Sequence, residues 1–241
     1  MSTIGQFSSR VIIVTGGTGA LGHSVVRMLL EREAQVVVTY NKKVELDVLI
    51  AKLDSDREQQ LTPFHVDVTN PKAVDELVEH VMNQFHRIDG LANLVGGYAG
   101  TPVADMTWDE WNDQISLNLH STFLMTRAVL PTMIGVNYGR IVSVGSQGAI
   151  QAAKNAAAYN VAKVGVMWLM ETIGNEVKQH NITANSVLPS IMDTPANRHN
   201  FPDTDYSKWV RTDEVAEVIC FLLSDAASGT SGAKIPVYGK A

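Results

Sequence analysis

Short apolar, largely β-branched runs recur along the chain, and most are followed by a longer stretch with apolar residues at helical spacing. The runs are Val11–Val14, Gln35–Tyr40, Thr62–Val66, Ile88–Val95, Arg140–Val144, Ile182–Leu188 and Ala233–Val237. Helical patterns cover Ala20–Glu33, Pro71–Phe85, Thr107 to Met133, Ala156–His180 and Thr212–Leu223. Strands that are apolar throughout must be covered on both faces, so the pattern predicts an α/β fold with a parallel sheet between two layers of helices. Crossover handedness then favours the doubly wound arrangement in a single domain, residues 1–241. Local signals agree. Asn70 is placed to cap a helix that Pro71 opens, Thr107 and Glu110 form a capping box, and Thr212, Asp213 and Glu214 start the last helix. One irregular stretch remains, Pro189 to Trp209, with Pro195 and Pro202. A loop that long in a compact domain is expected to be a lid over a site rather than a plain surface insertion.

Composition limits the partners. With 25 acidic and 19 basic residues the formal charge is −6, which argues against a nucleic acid or an anionic membrane. At 45% hydrophobic and 18% charged, the chain has enough apolar side chains for a sizeable core. A single cysteine, Cys220, excludes an internal disulfide and a multi-cysteine metal site. Seven histidines show no His-x-x-x-His or His-Glu-x-x-His spacing, so no catalytic metal is expected. No apolar run reaches the roughly 18 residues of a membrane span, and Met1 to Arg10 holds no signal-length apolar stretch, so a cytoplasmic setting is expected.

The segment Thr15-Gly-Gly-Thr-Gly-Ala-Leu-Gly22 ends the first strand and opens the first helix. Glycines there let backbone approach a pyrophosphate, and the helix N-terminus attracts its charge. A tight strand-to-helix turn would also want glycine; the strand before and the helix after supply the context a phosphate loop needs. The second strand ends Thr39-Tyr40-Asn41-Lys42-Lys43, with no acid between Val36 and Val44. An acid there would bond a ribose 2′-hydroxyl, whereas lysines attract a 2′-phosphate. NADP(H) is therefore favoured, with NAD(H) kept open and surface lysines as the plain alternative.

Tyr159 and Lys163 lie four apart near the start of a long helix, roughly 400° of rotation, and so share one face. The nearby ammonium is expected to lower the phenol pKa from about 10 and make the pair a proton donor. Ser146 follows the strand Arg140–Val144, where a parallel sheet presents its functional loops.

Taken together these segments resemble the short-chain dehydrogenase/reductase family over nearly the whole chain. Asp67-Val68 looks like that family's adenine-contacting pair, and Asn93-Leu-Val-Gly96 like its Asn-Asn-Ala-Gly segment. Asn118 stands where the family keeps an Asn, Ser146 lies thirteen residues before Tyr159, and Tyr159 with Lys163 matches Tyr-x-x-x-Lys. Asn185 through Pro189 to Thr194 resembles the stretch beside the nicotinamide. The resemblance implies a Rossmann-type fold and hydride transfer between NAD(P)(H) and a small-molecule carbonyl or alcohol. It implies Tyr159 as proton donor, Lys163 on the nicotinamide ribose, Ser146 positioning the carbonyl, and Asn118 anchoring a water that links Lys163 to solvent. The implied cofactor contacts are Gly16, Thr18, Gly19, Ala20, Leu21, Tyr40, Asn41, Lys42, Asp67, Val68, Asn93, Val95, Gly96, Tyr159, Lys163, Pro189, Ile191 and Thr194. A homotetramer or homodimer built on the two long helices is implied too.

The chain departs from the pattern in places. Ala20 stands at the second glycine of Thr-Gly-x-x-x-Gly-x-Gly, Leu94 and Val95 replace Asn and Ala, and Ser190 replaces Gly. The Gly loop carries no basic residue, which weakens the NADP(H) expectation. The glycine spacing also fits the family's extended branch, but the chain is short for that branch's larger substrate domain. Two other functions compete: an enzyme resembling dihydropteridine reductase, which lacks the serine that Ser146 supplies, and a cofactor-sensing or scaffold protein with a dead site. Tyr98 is read either as cleft wall or as an aromatic packed in a Gly-rich loop, and Trp168, Met167 and Met170 as core or subunit interface.

Overall fold

The computed structural model describes residues 5–240. In chain order the elements are β1 Val11–Thr15, α1 Ala20–Glu31, β2 Gln35–Tyr40, α2 Lys43–Ile50, β3 Leu61–His65, α3 Pro71–Phe85, β4 Gly90–Asn93 and α4 Trp108–Ile115. After a π-helical turn, Ser116–His120, come α5 Ser121–Gly135, β5 Gly139–Val144, α6 Ala157–Glu176 and β6 Ile182–Pro189. The short β7 Met192–Asp193, α7 Pro195–Asn200, β8 Val210–Arg211, α8 Thr212–Leu223 and β9 Lys234–Val237 complete the chain. Seven strands form one parallel sheet in the order β3-β2-β1-β4-β5-β6-β9. The order reverses between β1 and β4, and the crevice beyond the carboxyl ends of those strands is where such sheets bind ligands.

Each strand feeds two cores because successive side chains point to opposite faces. Ile12 and Val14 pack with Val25, Leu29 and Ile219 under α1 and α8. Val11 and Ile13 pack with Val74, Leu77, Val129 and Met170 under α3, α5 and α6. Helix α3 buries Val74, Leu77 and Val81 on one stripe, and the Asn70 side chain accepts from Lys72 N and Ala73 N as its cap. The capping box before α4 is formed: Glu110 N donates to Thr107 Oγ1 at 3.2 Å, and Thr107 N donates to Glu110 Oε2 at 2.8 Å.

One expectation is corrected and one element is added. The 189–209 stretch is not irregular. Pro189 ends β6, β7 pairs with β8, and α7 stands between them with Thr194 as its cap, accepting from Asn197 N at 3.2 Å. Tyr206 packs its ring on Trp209 at 4.7 Å between centroids, and its hydroxyl donates toward the carbonyls of Phe201 and Pro202. The two prolines start a helix and a turn rather than prevent structure. Helix α2 goes beyond the sequence reading; Leu46 and Leu49, three apart, are its buried side. No helix among the described residues is long and apolar enough to cross a membrane.

Candidate active site

The loop after β1 is shaped by glycine. Gly16 has φ +65°, and a Cβ there would lie 2.9 Å from Val95 N, so a side chain is excluded by both conformation and space. At Gly22 a Cβ would strike Gly17 Cα at 2.5 Å, which lets α1 start directly against the loop. The α1 N-cap, Gly19, makes no side-chain cap, so the first helical amides have no side-chain partner. The loop before them borders a groove of about 280 Å³. Gly16, Thr18, Gly19, Tyr40, Asn41, Asp67, Val68, Val95 and Gly96 line it, joined by Thr39, Glu45, Val66, Thr69, Leu94 and Leu117. This cradle, which a side chain at Gly16 would fill, fits the pyrophosphate and adenosine of a dinucleotide. Asp67 is fixed at its mouth, accepting from Thr69 N at 2.9 Å and Thr69 Oγ1 at 2.6 Å.

Leu94 and Gly96 also line a second cleft, of about 710 Å³, beyond β4, β5 and β6. Tyr98, Ser146, Tyr159 and Lys163 lie in its wall, with Leu21, Pro189 and Ile191. Ser146 sits just past β5, its Oγ accepting from Gly148 N at 3.1 Å. Tyr159 and Lys163 come from the first turns of α6, and Lys163 Nζ lies 5.8 Å from the centre of the Tyr159 ring. The π turn directs Asn118 inward, where it is fully buried. Its carboxamide clamps Gly97, accepting from Gly97 N at 3.1 Å and donating to Gly97 O and Gln114 O at 3.0 Å.

The electrostatics differ from the sequence expectation. Burial pushes the Tyr159 hydroxyl above the usual phenol range; Ser146 pulls it down and Tyr98 adds a small push upward. Lys163 does not reverse this, because its Nζ is turned to Val144 O at 2.8 Å. Burial instead brings Lys163 down to about 8. The phenol therefore stays protonated at neutral pH. The lysine shift also bears on stability. Below pH 8 both folded and unfolded chains carry the ammonium, and folding must bury it, a penalty of about 3 kcal/mol for the drop from 10.5 to about 8. Between those values the unfolded chain binds the extra proton, so stability rises with pH as the penalty fades. Lys163→Met is expected to be more stable than the parent at pH 7, with the gap closing toward pH 10.5. Urea unfolding at both pH values measures it, and a gap independent of pH would discard the buried charge as its cause.

Other expected contacts lie elsewhere. Asn93 is buried and donates to Thr126 Oγ1 and Ser143 Oγ at 3.2 and 3.1 Å, tying β4 to α5 and β5 rather than facing the groove. Ala20 lies in the first turn of α1, outside both linings. Leu21 meets the cleft rather than the groove. Thr194 caps α7. Lys42 points into solvent and pairs with Glu45 at 3.2 Å, and Lys43 pairs with Asp47 at 2.8 Å. Glu45, which also accepts from Thr18 Oγ1 at 3.4 Å, escaped the sequence reading because it stands one residue past the window searched for an acid.

A glycine-shaped groove that shares Leu94 and Gly96 with a cleft holding a protonated phenol fits a nicotinamide-dependent oxidoreductase. Residues 10–205 match the family model described as short chain dehydrogenase, and the chain belongs to that family. A 7alpha-hydroxysteroid dehydrogenase of Bacteroides fragilis is 29% identical, across 97% of this chain and 95% of its own. A 3-oxoacyl-(acyl-carrier-protein) reductase of Thermotoga maritima is 28% identical, across 97% of this chain and 98% of its own. The crystal structure of a variant actinorhodin polyketide ketoreductase with NADPH matches with TM-score 0.89 at 25% identity, covering 97% of this chain and 98% of the other. The protein is an NAD(P)-dependent oxidoreductase acting on a ketone/alcohol pair.

Proposed function

We propose that the protein reduces a small-molecule ketone in the cytoplasm with NADP(H), and that Tyr159 donates the proton. The observation that carries this is the meeting of Tyr159, Ser146 and Lys163 in the cleft that shares Leu94 and Gly96 with the phosphate groove. A nicotinamide held between the groove and the cleft would supply hydride for the carbonyl carbon. The Tyr159 hydroxyl delivers its proton to the carbonyl oxygen, and the alcohol forms. Ser146 Oγ donates to the same oxygen as charge develops on it. Lys163, ammonium below about pH 8 and 5.8 Å from the Tyr159 ring, stabilises the phenolate left behind only by swinging its Nζ off Val144 O. Asn118 positions the Gly96–Gly97 backbone against Lys163; the water role that the resemblance implies for it is kept as part of this proposal. Segment 189–209 acts as the lid, presenting Ile191, Met192, Asn197 and Phe201 to the cleft. Nicotinamide absorbance followed with a ketone and aldehyde panel tests the reading; cofactor binding without any turnover would favour the sensor alternative. Ser146 continues to argue against a dihydropteridine-reductase-like enzyme.

Cofactor choice rests on Lys42 and Lys43. Both are exposed and swing on long stems, so they reach a 2′-phosphate by leaving Glu45 and Asp47. Replacing both with Ala is expected to weaken NADPH more than NADH, and Glu45→Gln to strengthen NADPH by removing a repelling carboxylate and freeing Lys42. Fluorescence titration of both cofactors measures this; equal changes for the two would leave the lysines as plain surface.

The oligomer is proposed from α6. Val161 and Trp168, 49% and 58% exposed, lie two turns apart on one face of it. Apolar residues on a helix already packed on its own sheet need a second cover, most simply a symmetric copy. Light scattering is expected to give about two or four times the 26.2 kDa chain mass.

A further inference from the structure

We infer that the cleft takes an uncharged ring ketone and seats it in a corner formed by Tyr98 and Tyr159; this rests on the reductase reading above. Among the described residues lining the cleft there is no carboxylate and one cation, Lys163. Its Nζ is buried and held on Val144 O. A phosphate or carboxylate brought beside the reacting carbonyl would be stripped of water with nothing to compensate it. Arg198, on the lid helix, does not fill that role: its guanidinium is held by both oxygens of Asp193, at 2.6 and 2.8 Å. The −6 charge of the chain also works against an acidic carrier protein.

What the cleft offers instead is aromatic and apolar surface. The rings of Tyr98 and Tyr159 stand 5.3 Å apart at 80°, an edge-to-face corner with the proton-bearing hydroxyl on one arm. Tyr98 is 59% exposed, a large ring left to water beside the reacting position. A flat ring laid against it removes apolar area on both partners and keeps the favoured ring geometry. Gln147 and Asn200 add uncharged donors and acceptors farther along the wall. The cleft, about 710 Å³, must also take the nicotinamide end of the cofactor, and the remainder suits a substrate of one or two rings. Tyr98 is thus a positioning residue that selects the substrate, not a group that moves the proton.

The test is steady-state kinetics with saturating cofactor on three ketones: β-tetralone, acetoacetyl-coenzyme A, and acetoacetyl-N-acetylcysteamine, which keeps the thioester without the phosphates. The expected order of kcat/KM places β-tetralone first and the coenzyme A thioester last. Tyr98→Ala is expected to raise KM for β-tetralone roughly 10-fold with kcat little changed, and Tyr98→Phe to keep the parent KM, since the ring and not the hydroxyl provides the seat. A coenzyme A thioester turned over best, or an unchanged KM in a folded Tyr98→Ala, overturns this inference and leaves the reductase intact. No turnover of any of the three, with cofactor bound, overturns both.

Discussion

Tyr159→Phe is expected to lower kcat by about 10²–10⁴-fold, the range a general acid supplies, while cofactor affinity stays at the parent value. The separation follows from what the substitution leaves behind. The ring, its burial and its edge-to-face contact with Tyr98 at 5.3 Å all persist, so the cleft keeps its shape. The groove that would hold the pyrophosphate and adenosine lies over β1, β2 and the turn after β3, and Tyr159 is not in its lining. What goes is one proton with no replacement. Ser146 still polarises a carbonyl, but a serine hydroxyl is far too weak an acid to complete the step, and Lys163 is turned to Val144 O. The residual rate is therefore a hydride transfer assisted only by hydrogen bonding. Single-turnover absorbance with a fluorescence titration of the cofactor separates the two quantities. A rate within about threefold of the parent would remove Tyr159 from the mechanism.

Where one physical cause acts locally, the sequence was legible. Strands buried on both faces show as unbroken apolar runs, so β2 and the ends of α3 and α8 fall where the pattern puts them. The glycine turn between β1 and α1 was legible because Gly16 and Gly22 are forced by conformation and by close approach. Tyr159, Lys163 and Ser146 are expected from spacing and resemblance to share a site, and all three line one cleft. What escaped depends on tertiary context. Asn93 carries the same side chain whether it faces a cofactor or ties three elements together, and only the packing of Thr126 and Ser143 beneath it decides. The phenol pKa expected from Tyr159 and Lys163 had the right pair and the wrong sign, since helical spacing fixes proximity but says nothing of how much water is lost. Lys42 and Lys43 are similar: their charge is visible in the sequence, and the acids that α2 sets beside them are not, because the sequence pattern marks no helix over Lys43–Ile50. The 189–209 stretch reads as irregular on its prolines, although one of them opens α7 behind Thr194.

Gly96→Ala is expected to damage the site as a whole, although the exchange adds only one methyl group. The new Cβ would fall 2.7 Å from Asn118 Oδ1 and 3.0 Å from Lys163 Nζ. Neither neighbour is free to yield. Asn118 is fully buried and bound to Gly97 and Gln114 by three hydrogen bonds, and Lys163 is held on Val144 O. Relief must come from the backbone after β4, which carries Tyr98 into the cleft and forms a wall of the groove. Overpacking of this kind costs about 1–3 kcal/mol of stability, and a shift of about 1 Å at reacting groups lowers rate about 100-fold. kcat/KM is thus expected to fall about 100-fold and thermal stability to drop with it. Gly135→Ala is the matched control: nothing lies within 4 Å of its would-be Cβ, at the end of α5, so activity should be unchanged and stability equal or slightly higher. Asn118→Ala provides the sharper test. It removes the oxygen nearest the new methyl, so the double variant Gly96→Ala with Asn118→Ala should lose less than the two single losses added together. Strict additivity would mean that the methyl and the carboxamide never met, and that Gly96 is glycine for some reason other than the close approach of Asn118.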